Sequence, residues 1–214
     1  MQERFVINIG RQFGSGGKSI GEKIASRLGI KLYDKELINL AAEESGICTE
    51  HFERADEKER KGFLSALIGH FHRPLSGNYY CTNTPLSHET LFHIQSEVIR
   101  RVAERESCIF VGRCADYILR DHPRAINLFF TAEREDRIRR IAARKACCEE
   151  KAAALIDRID HERARYYNYY TSARTWGEAA SYDLTINTSI LGEEGTTDLL
   201  VDYICRRLGI NPAK

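Results

Sequence analysis

Gly10-Arg-Gln-Phe-Gly-Ser-Gly-Gly-Lys-Ser19 is the stretch whose reading decides the fold. Phe5-Val-Ile-Asn-Ile9 runs into it as a short apolar segment suited to a strand. Lys18 to Gly29 leaves it with Ile20, Ile24 and Leu28 spaced four apart, one stripe of a helix that Gly29 can stop. Strand, glycine-rich turn and helix with Lys-Ser at its start is the layout of a phosphate-binding loop. Gly14, Gly16 and Gly17 can take dihedrals closed to other residues, so successive backbone N–H groups can point inward at one anion. The helix N-terminus adds partial positive charge. Lys18 can reach the outer phosphates, and the Ser19 hydroxyl can ligate Mg²⁺. The pattern G-x-x-x-x-G-K-[ST] fits at Gly17, Lys18 and Ser19, but its first glycine falls on Gln12.

Outward from this loop the chain reads as alternating strands and helices. Ile30 to Asp34 is a second short strand. Asp34 is placed either to cap a helix over 35–46 or to stand at the ligand rim, and one residue can do both. Residues 49–61 are highly charged, 62–69 apolar, and 70–86 rich in turn formers. His70 and His72 lack the carboxylate or cysteine spacing of a metal site. Ser87 to about Ser107 is predicted as a long helix with Leu91, Ile94, Val98 and Val102 inward. Cys108 to Gly112 is a buried strand, followed by Arg113 and Asp116. These two either form a salt bridge or contact a ligand's phosphate. Ala125 to Phe130 is another buried strand, with Thr131 as cap of the next helix. Tyr182 to Asn187 is the last strand. The final helix runs from about Thr196 to Leu208, with Leu199, Leu200, Tyr203, Ile204 and Leu208 inward.

Between 134 and 170 arginine is in excess, and its planar fork of donors suits phosphate oxygens. Arg137, Arg140 and Arg144 fall on one helical face. On a second helix Arg158, Glu162, Arg165 and Tyr169 share a face, with Asp160, Arg163 and Tyr167 beside it. Two antiparallel helices with arginines at their tip would make a hinged cover that excludes water. The alternative is a solvated helix pair laced by ion pairs. The tyrosines either pack in the core or stack on bases of single-stranded nucleic acid.

Composition narrows the classes. With 43% apolar and 29% charged residues over 214, the chain suits one folded domain and not a disordered one. A net charge of +1 gives no general field for nucleic acid. No apolar run is long enough for a membrane span, and no signal-peptide pattern opens the sequence, so a cytoplasmic protein is expected. Seven scattered cysteines with no C-x-x-C pair read as buried thiols.

Ile9 to Gly21, then Tyr33-Asp-Lys-Glu-Leu-Ile38, then Ile109-Phe-Val-Gly-Arg-Cys-Ala-Asp-Tyr-Ile-Leu119 together resemble the cytidylate kinase-like family of P-loop kinases. The resemblance covers nearly the whole chain except about 48–86, a segment that would be an acceptor-binding insertion. It implies a single three-layer α/β domain over 1–214, with a parallel five-stranded sheet, helices on both faces and a lid over 134–170. It implies a kinase using ATP and Mg²⁺ on a small-molecule acceptor, a nucleoside monophosphate such as CMP or dCMP, with neither nucleic acid nor membrane as partner; the alternatives are a P-loop kinase for a non-nucleotide small molecule and a nucleotide-binding regulatory module without turnover. Residues 13–19 would hold the donor, and Ser19 with Asp34 the Mg²⁺. Arg113 would contact the acceptor phosphate, with Asp116, Asp160 and Glu162 on the substrate side. Lys18, Arg140, Arg144, Arg158, Arg163 and Arg165 would offset charge on the transferring group. The lid pattern Arg-x-Asp-x-x-x-x-Arg is met by Arg158, Asp160 and Arg165. Cytidylate kinases carry an acid just before the Gly-Arg, and here that place is Val111.

Overall fold

A computed structural model describes residues 4–34, 88–172 and 174–211. The predicted helix over 35–46, the histidines at 70 and 72 and the segment 48–86 lie outside them. Five strands form one parallel sheet in the order β2-β3-β1-β4-β5. They are β1 (Val6–Arg11), β2 (Lys31–Tyr33), β3 (Cys108–Val111), β4 (Ala125–Thr131) and β5 (Leu184–Asn187). The central strand β1 pairs with β3 from Val6↔Cys108 to Ile9↔Val111, and with β4 from Val6↔Ala125 to Arg11↔Phe130.

Side chains alternate across the sheet, so both faces bury apolar surface. Ile7, Ile9, Ile109, Val111, Leu128 and Phe130 point to the face covered by α1 (Gly17–Leu28) and the last helix, α6 (Thr188–Leu208). Val6, Cys108 and Phe110 point to the other face, covered by α2 (His88–Arg105) and the short α3 (Ala115–Ile118). This gives the three layers. Ile94, Val98 and Val102 are the buried stripe of α2, as its spacing predicts. Gly29 ends α1 in the left-handed conformation at φ 64. Outside the layers, α4 (Arg134–Lys145) and α5 (Glu149–Thr171) form a helical hairpin with its own small core of Ile141, Ala152 and Ile156.

Three local expectations need correction. Thr131 does not cap α4. It is the last residue of β4, opposite Asn187, with its hydroxyl donating to Ile186 O, and Glu133 occupies the cap. The last helix begins at Thr188 and is interrupted at Gly192 (φ 64, ψ −176), so the rest of the helix is set by a new start. Leu200, Ile204 and Leu208 are buried, but Leu199 is 45% exposed. The thiols of Cys108 and Cys114 are buried as expected, while Cys148 is exposed at the hairpin's turn.

One glycine is fixed by packing alone. A Cβ on Gly17 would lie 2.7 Å from Phe130 Cδ2 and 2.9 Å from Arg11 Cβ. Phe130 is fully buried and has no room to yield. Gly17→Ala is therefore expected to lose about 1–3 kcal/mol in urea denaturation, the usual effect of overpacking a tight core.

Candidate active site

The switch in connection direction falls at β1, where the chain leaves toward β2 and later crosses to β4. In open parallel sheets a crevice opens at the carboxyl ends of the strands there. Two turns stand at those ends: Gln12–Gly16 after β1 and Gly112–Cys114 after β3.

The first turn is held by its carbonyls. Arg163 donates to Arg11 O at 3.1 Å, Ser15 Oγ to Gln12 O at 2.9 Å, and Arg137 Nε to Phe13 O at 2.9 Å. Arg140 donates to Gly14 O at 3.1 Å and Thr188 Oγ1 to Ser15 O at 2.7 Å. Five successive carbonyls are thus engaged, that of Gln12 within the turn and the other four by residues outside it. Gly14 (φ 84) and Gly16 (φ 79) take the left-handed conformation that turns successive amides the other way. The amides of Gly14, Gly16 and Gly17 donate to no other group among the described residues. This is a nest with a helix N-terminus beneath it, the geometry that takes a phosphate. Gln12 in place of glycine is accommodated, because its φ is not positive. Its amide donates to Phe130 O and its side chain accepts from Ala132 N at 3.4 Å.

Lys18 stands at the rim, 56% exposed, its ammonium 2.7 Å from Asp34 Oδ2. Ser19 Oγ donates to Glu193 Oε2 at 2.6 Å. Hydroxyl and carboxylate oxygens are the ligands Mg²⁺ takes, one or two of them together with phosphate oxygens. Ser19, Asp34 and Glu193 fit that set. The place of the missing acid is filled by Val111, packed in the core 4.0 Å from where a Cβ on Gly21 would stand.

The helical hairpin lies directly on the loop. Asp160 accepts from Phe13 N at 2.7 Å and pairs with Arg137. Burial pushes the Asp160 carboxyl up, against the pull of the Phe13 amide and Arg137. Burial lowers Arg137 too. Arg144 (5.1 Å) and Arg163 (5.4 Å) both lie over the Phe13 ring as cations on an aromatic face. The arginines therefore gather along the flank of the hairpin, not at its tip. Arg137, Arg140, Arg144 and Arg163 face the loop. Arg158 lines an open basic cleft beside Phe13, Arg144 and Lys151. Arg165 is exposed and Glu162 lies on the neighbouring chamber.

That chamber, of about 390 Å³, lies between the strand ends and α5. Arg11, Arg113, Arg163, Asp116, Tyr166 and Trp176 are among its walls. Arg113 and Asp116 do not pair with each other. Arg113 lies over the Tyr166 ring at 5.1 Å, and Asp116 accepts from the Tyr167 hydroxyl at 2.6 Å with Arg174 at 3.5 Å. Burial raises the Asp116 carboxyl, and the Tyr167 hydrogen bond and Arg174 oppose the rise. Burial, followed by the charges of Arg163 and Arg113, lowers the Arg11 guanidinium to about 9, with Asp34 acting the other way. On the floor, Asn8 Nδ2 donates to Asn127 while its buried Oδ1 has no partner among the described residues.

The sequence profile of the cytidylate kinase-like family matches residues 6–190. The chain belongs to this family. Among solved structures, an uncharacterized protein from Eubacterium ventriosum ATCC 27560 is 27% identical with a TM-score of 0.71, covering 94% of this chain and 98% of its own. Shikimate kinase from Bacteroides thetaiotaomicron is 14% identical with a TM-score of 0.51, covering 96% and 99%. That likeness shows the fold, which is that of a P-loop kinase. No curated protein sequence matches the chain. Among the described residues no helix is long and apolar enough to cross a membrane.

Arg11, Thr188 and Glu193 are site residues that sequence reasoning passed over. Arg11 carried a signal, since it stands inside the loop motif. Thr188 and Glu193 meet the loop from 173 or more residues away, beyond any local pattern.

Proposed function

We propose that this member of the cytidylate kinase-like family transfers the γ-phosphoryl group of ATP to a small acceptor, a nucleoside monophosphate of the CMP or dCMP kind. The observation that supports this best is the loop after β1, four of whose carbonyls are tied to residues outside it while the amides of Gly14, Gly16 and Gly17 are left to donate. A polyphosphate is the ligand such a nest favours.

In this reading the amides of residues 14–18 and the Lys18 ammonium hold the donor's outer phosphates, while the Phe13 amide is taken by Asp160. Ser19 and Asp34 hold Mg²⁺, with Glu193 at hand through Ser19. When bound, Mg²⁺ shields the charge of the polyphosphate. Arg113 orients the acceptor, whose phosphate oxygen attacks the γ-phosphorus as ADP leaves. The transfer needs little covalent chemistry from the protein, only alignment and charge neutralisation. Arg140, Arg144, Arg158, Arg163 and Arg165 belong to the arm over 134–170, which acts as a lid that keeps water from the γ-phosphoryl group. Asp160 positions that arm, Glu162 stands on the chamber wall on the substrate side, and Asp116 fixes that wall through Tyr167.

The test is ADP release over a panel of CMP, dCMP, UMP, AMP, shikimate and gluconate. The pyrimidine monophosphates are expected to give the highest kcat/KM. Turnover highest on shikimate or gluconate would reassign the acceptor, and ADP release on none of the panel would contradict the reading.

A further inference from the structure

The turn between the two helices of the arm carries two adjacent thiols. Ala146 ends α4 in the left-handed conformation (φ 48), and the Cys147 amide donates to Ala142 O at 3.1 Å. Such a turn folds the next side chain back onto its own helix. Cys147 accordingly packs, half-buried, against the small core of Ile141, Ala152 and Ile156. Cys148 stands exposed at the N-cap of the 23-residue α5. The two neighbours meet different surroundings. The Cys148 side chain is hydrogen-bonded with Glu150, whose carboxyl is lowered by its own backbone amide and by that bond. Cys147 lines an open cleft of about 870 Å³ along the flank of the arm.

Four cations line the same cleft, Arg144, Lys145, Lys151 and Arg158, and no Asp or Glu does. Among the described residues, none of the four has an Asp or Glu oxygen within 4.0 Å. Elsewhere on the arm arginines are paired, Arg134 with Asp157, Arg137 with Asp160 and Arg139 with Asp136. A wall of one sign of charge raises the local concentration of anions. A partly exposed thiol on such a wall is the setting in which cysteines exchange with disulfides. The other described thiols differ. Burial pushes Cys108, Cys114 and Cys205 up, away from the thiolate that exchange requires.

We propose that Cys147 is a modification site, where the cleft gathers a low-molecular-weight disulfide that carries carboxylates and Cys147 keeps half of it as a mixed disulfide. The Cys147 sulfur, as thiolate, attacks one sulfur of the reagent. A new S–S bond forms as the reagent's own S–S bond breaks. The departing thiolate takes up a proton from water, balancing the one that Cys147 gave up. Cys147 is oxidised and the departing half reduced, so no further oxidant enters. The acidic half that remains lies among the four cations. The step uses neither ATP nor an acceptor, so it stands or falls apart from the phosphotransfer reading.

The test treats the reduced, folded chain with oxidised glutathione, which bears carboxylates, or with cystamine, which bears ammonium groups. Tandem mass spectrometry reads the rate of adduct formation at Cys147 and at Cys148. The ratio of the two reagents' rates is taken at each thiol, so that their intrinsic reactivities cancel. At low salt the glutathione-to-cystamine ratio is expected to be about tenfold higher at Cys147 than at Cys148. In about 0.5 M salt that preference should approach one. Lys145→Gln combined with Lys151→Gln should bring it to about threefold or less at low salt. Both lysines are exposed, and a thermal melt checks that the variant is folded; the salt series decides the matter if it is not. Equal ratios at the two cysteines, a preference indifferent to salt, one unchanged in the folded double variant, or a Cys147 that reacts with neither reagent would each overturn the proposal.

Discussion

Lys18→Ala is expected to cut ADP release on the order of a thousandfold or more while leaving the fold intact. The size follows from the charge that develops on the transferring group. A single preorganised donor at such a centre is worth two to three orders of magnitude, and Lys18 is a full cation at the mouth of the nest. The fold survives because Lys18 is 56% exposed and its pair with Asp34 is a rim contact. Pairs of that kind contribute about 1 kcal/mol or less. The check is a steady-state assay with CMP beside a thermal melt. Near-normal turnover in a folded Lys18→Ala protein would remove Lys18 from the chemistry.

Asp160→Ala is expected to lose about 3–5 kcal/mol of stability in chemical denaturation with no nucleotide present. Asp160 is the joint between the hairpin and the loop, taking the Phe13 amide on one oxygen and Arg137 on the other. The Arg137 side chain is 6% exposed, and removing the carboxylate leaves its charge buried without its partner. Breaking a buried pair from one side has that order of cost. Asp160→Asn keeps an acceptor for the amide and loses less. If instead Asp160→Ala is as stable as the wild type and only raises the KM of the acceptor, Asp160 is a substrate ligand and not a joint.

The sheet could be read from the sequence because its strands are short, mostly apolar runs, Cys108 to Val111 wholly so, between helices with clear four-residue spacing. Cys108 to Val111 cannot have a solvated face, and both faces are indeed covered. The loop could be read because its glycines and Lys-Ser are contiguous. The arm's faces followed from helical periodicity, and Asp160, Arg163 and Tyr167 do point the same way, toward the loop and chamber.

What a carboxylate or guanidinium meets there did not follow, because its partner lies far away in sequence. Asp160 reaches back 147 residues to Phe13, and Ser19 reaches 174 to Glu193. Thr131 was misread because β4 gains one more rung by pairing with β5, a contact no local pattern records. Leu199 was misread because the stripe that α6 buries runs through Thr197, Leu200, Val201, Ile204 and Leu208, and Leu199 stands beyond its edge. Arg11 was passed over for a different reason. Only when Gly112 is seen beneath it does an arginine at the end of a strand become part of a chamber.

The most direct test of the account is a crystal structure of the chain with a non-hydrolysable ATP analogue and Mg²⁺. The account predicts the β-phosphate within hydrogen-bond distance of the amides of Gly14, Gly16 and Gly17, with the Lys18 ammonium on the outer phosphates. An analogue bound elsewhere, with that turn holding no phosphate, would contradict it.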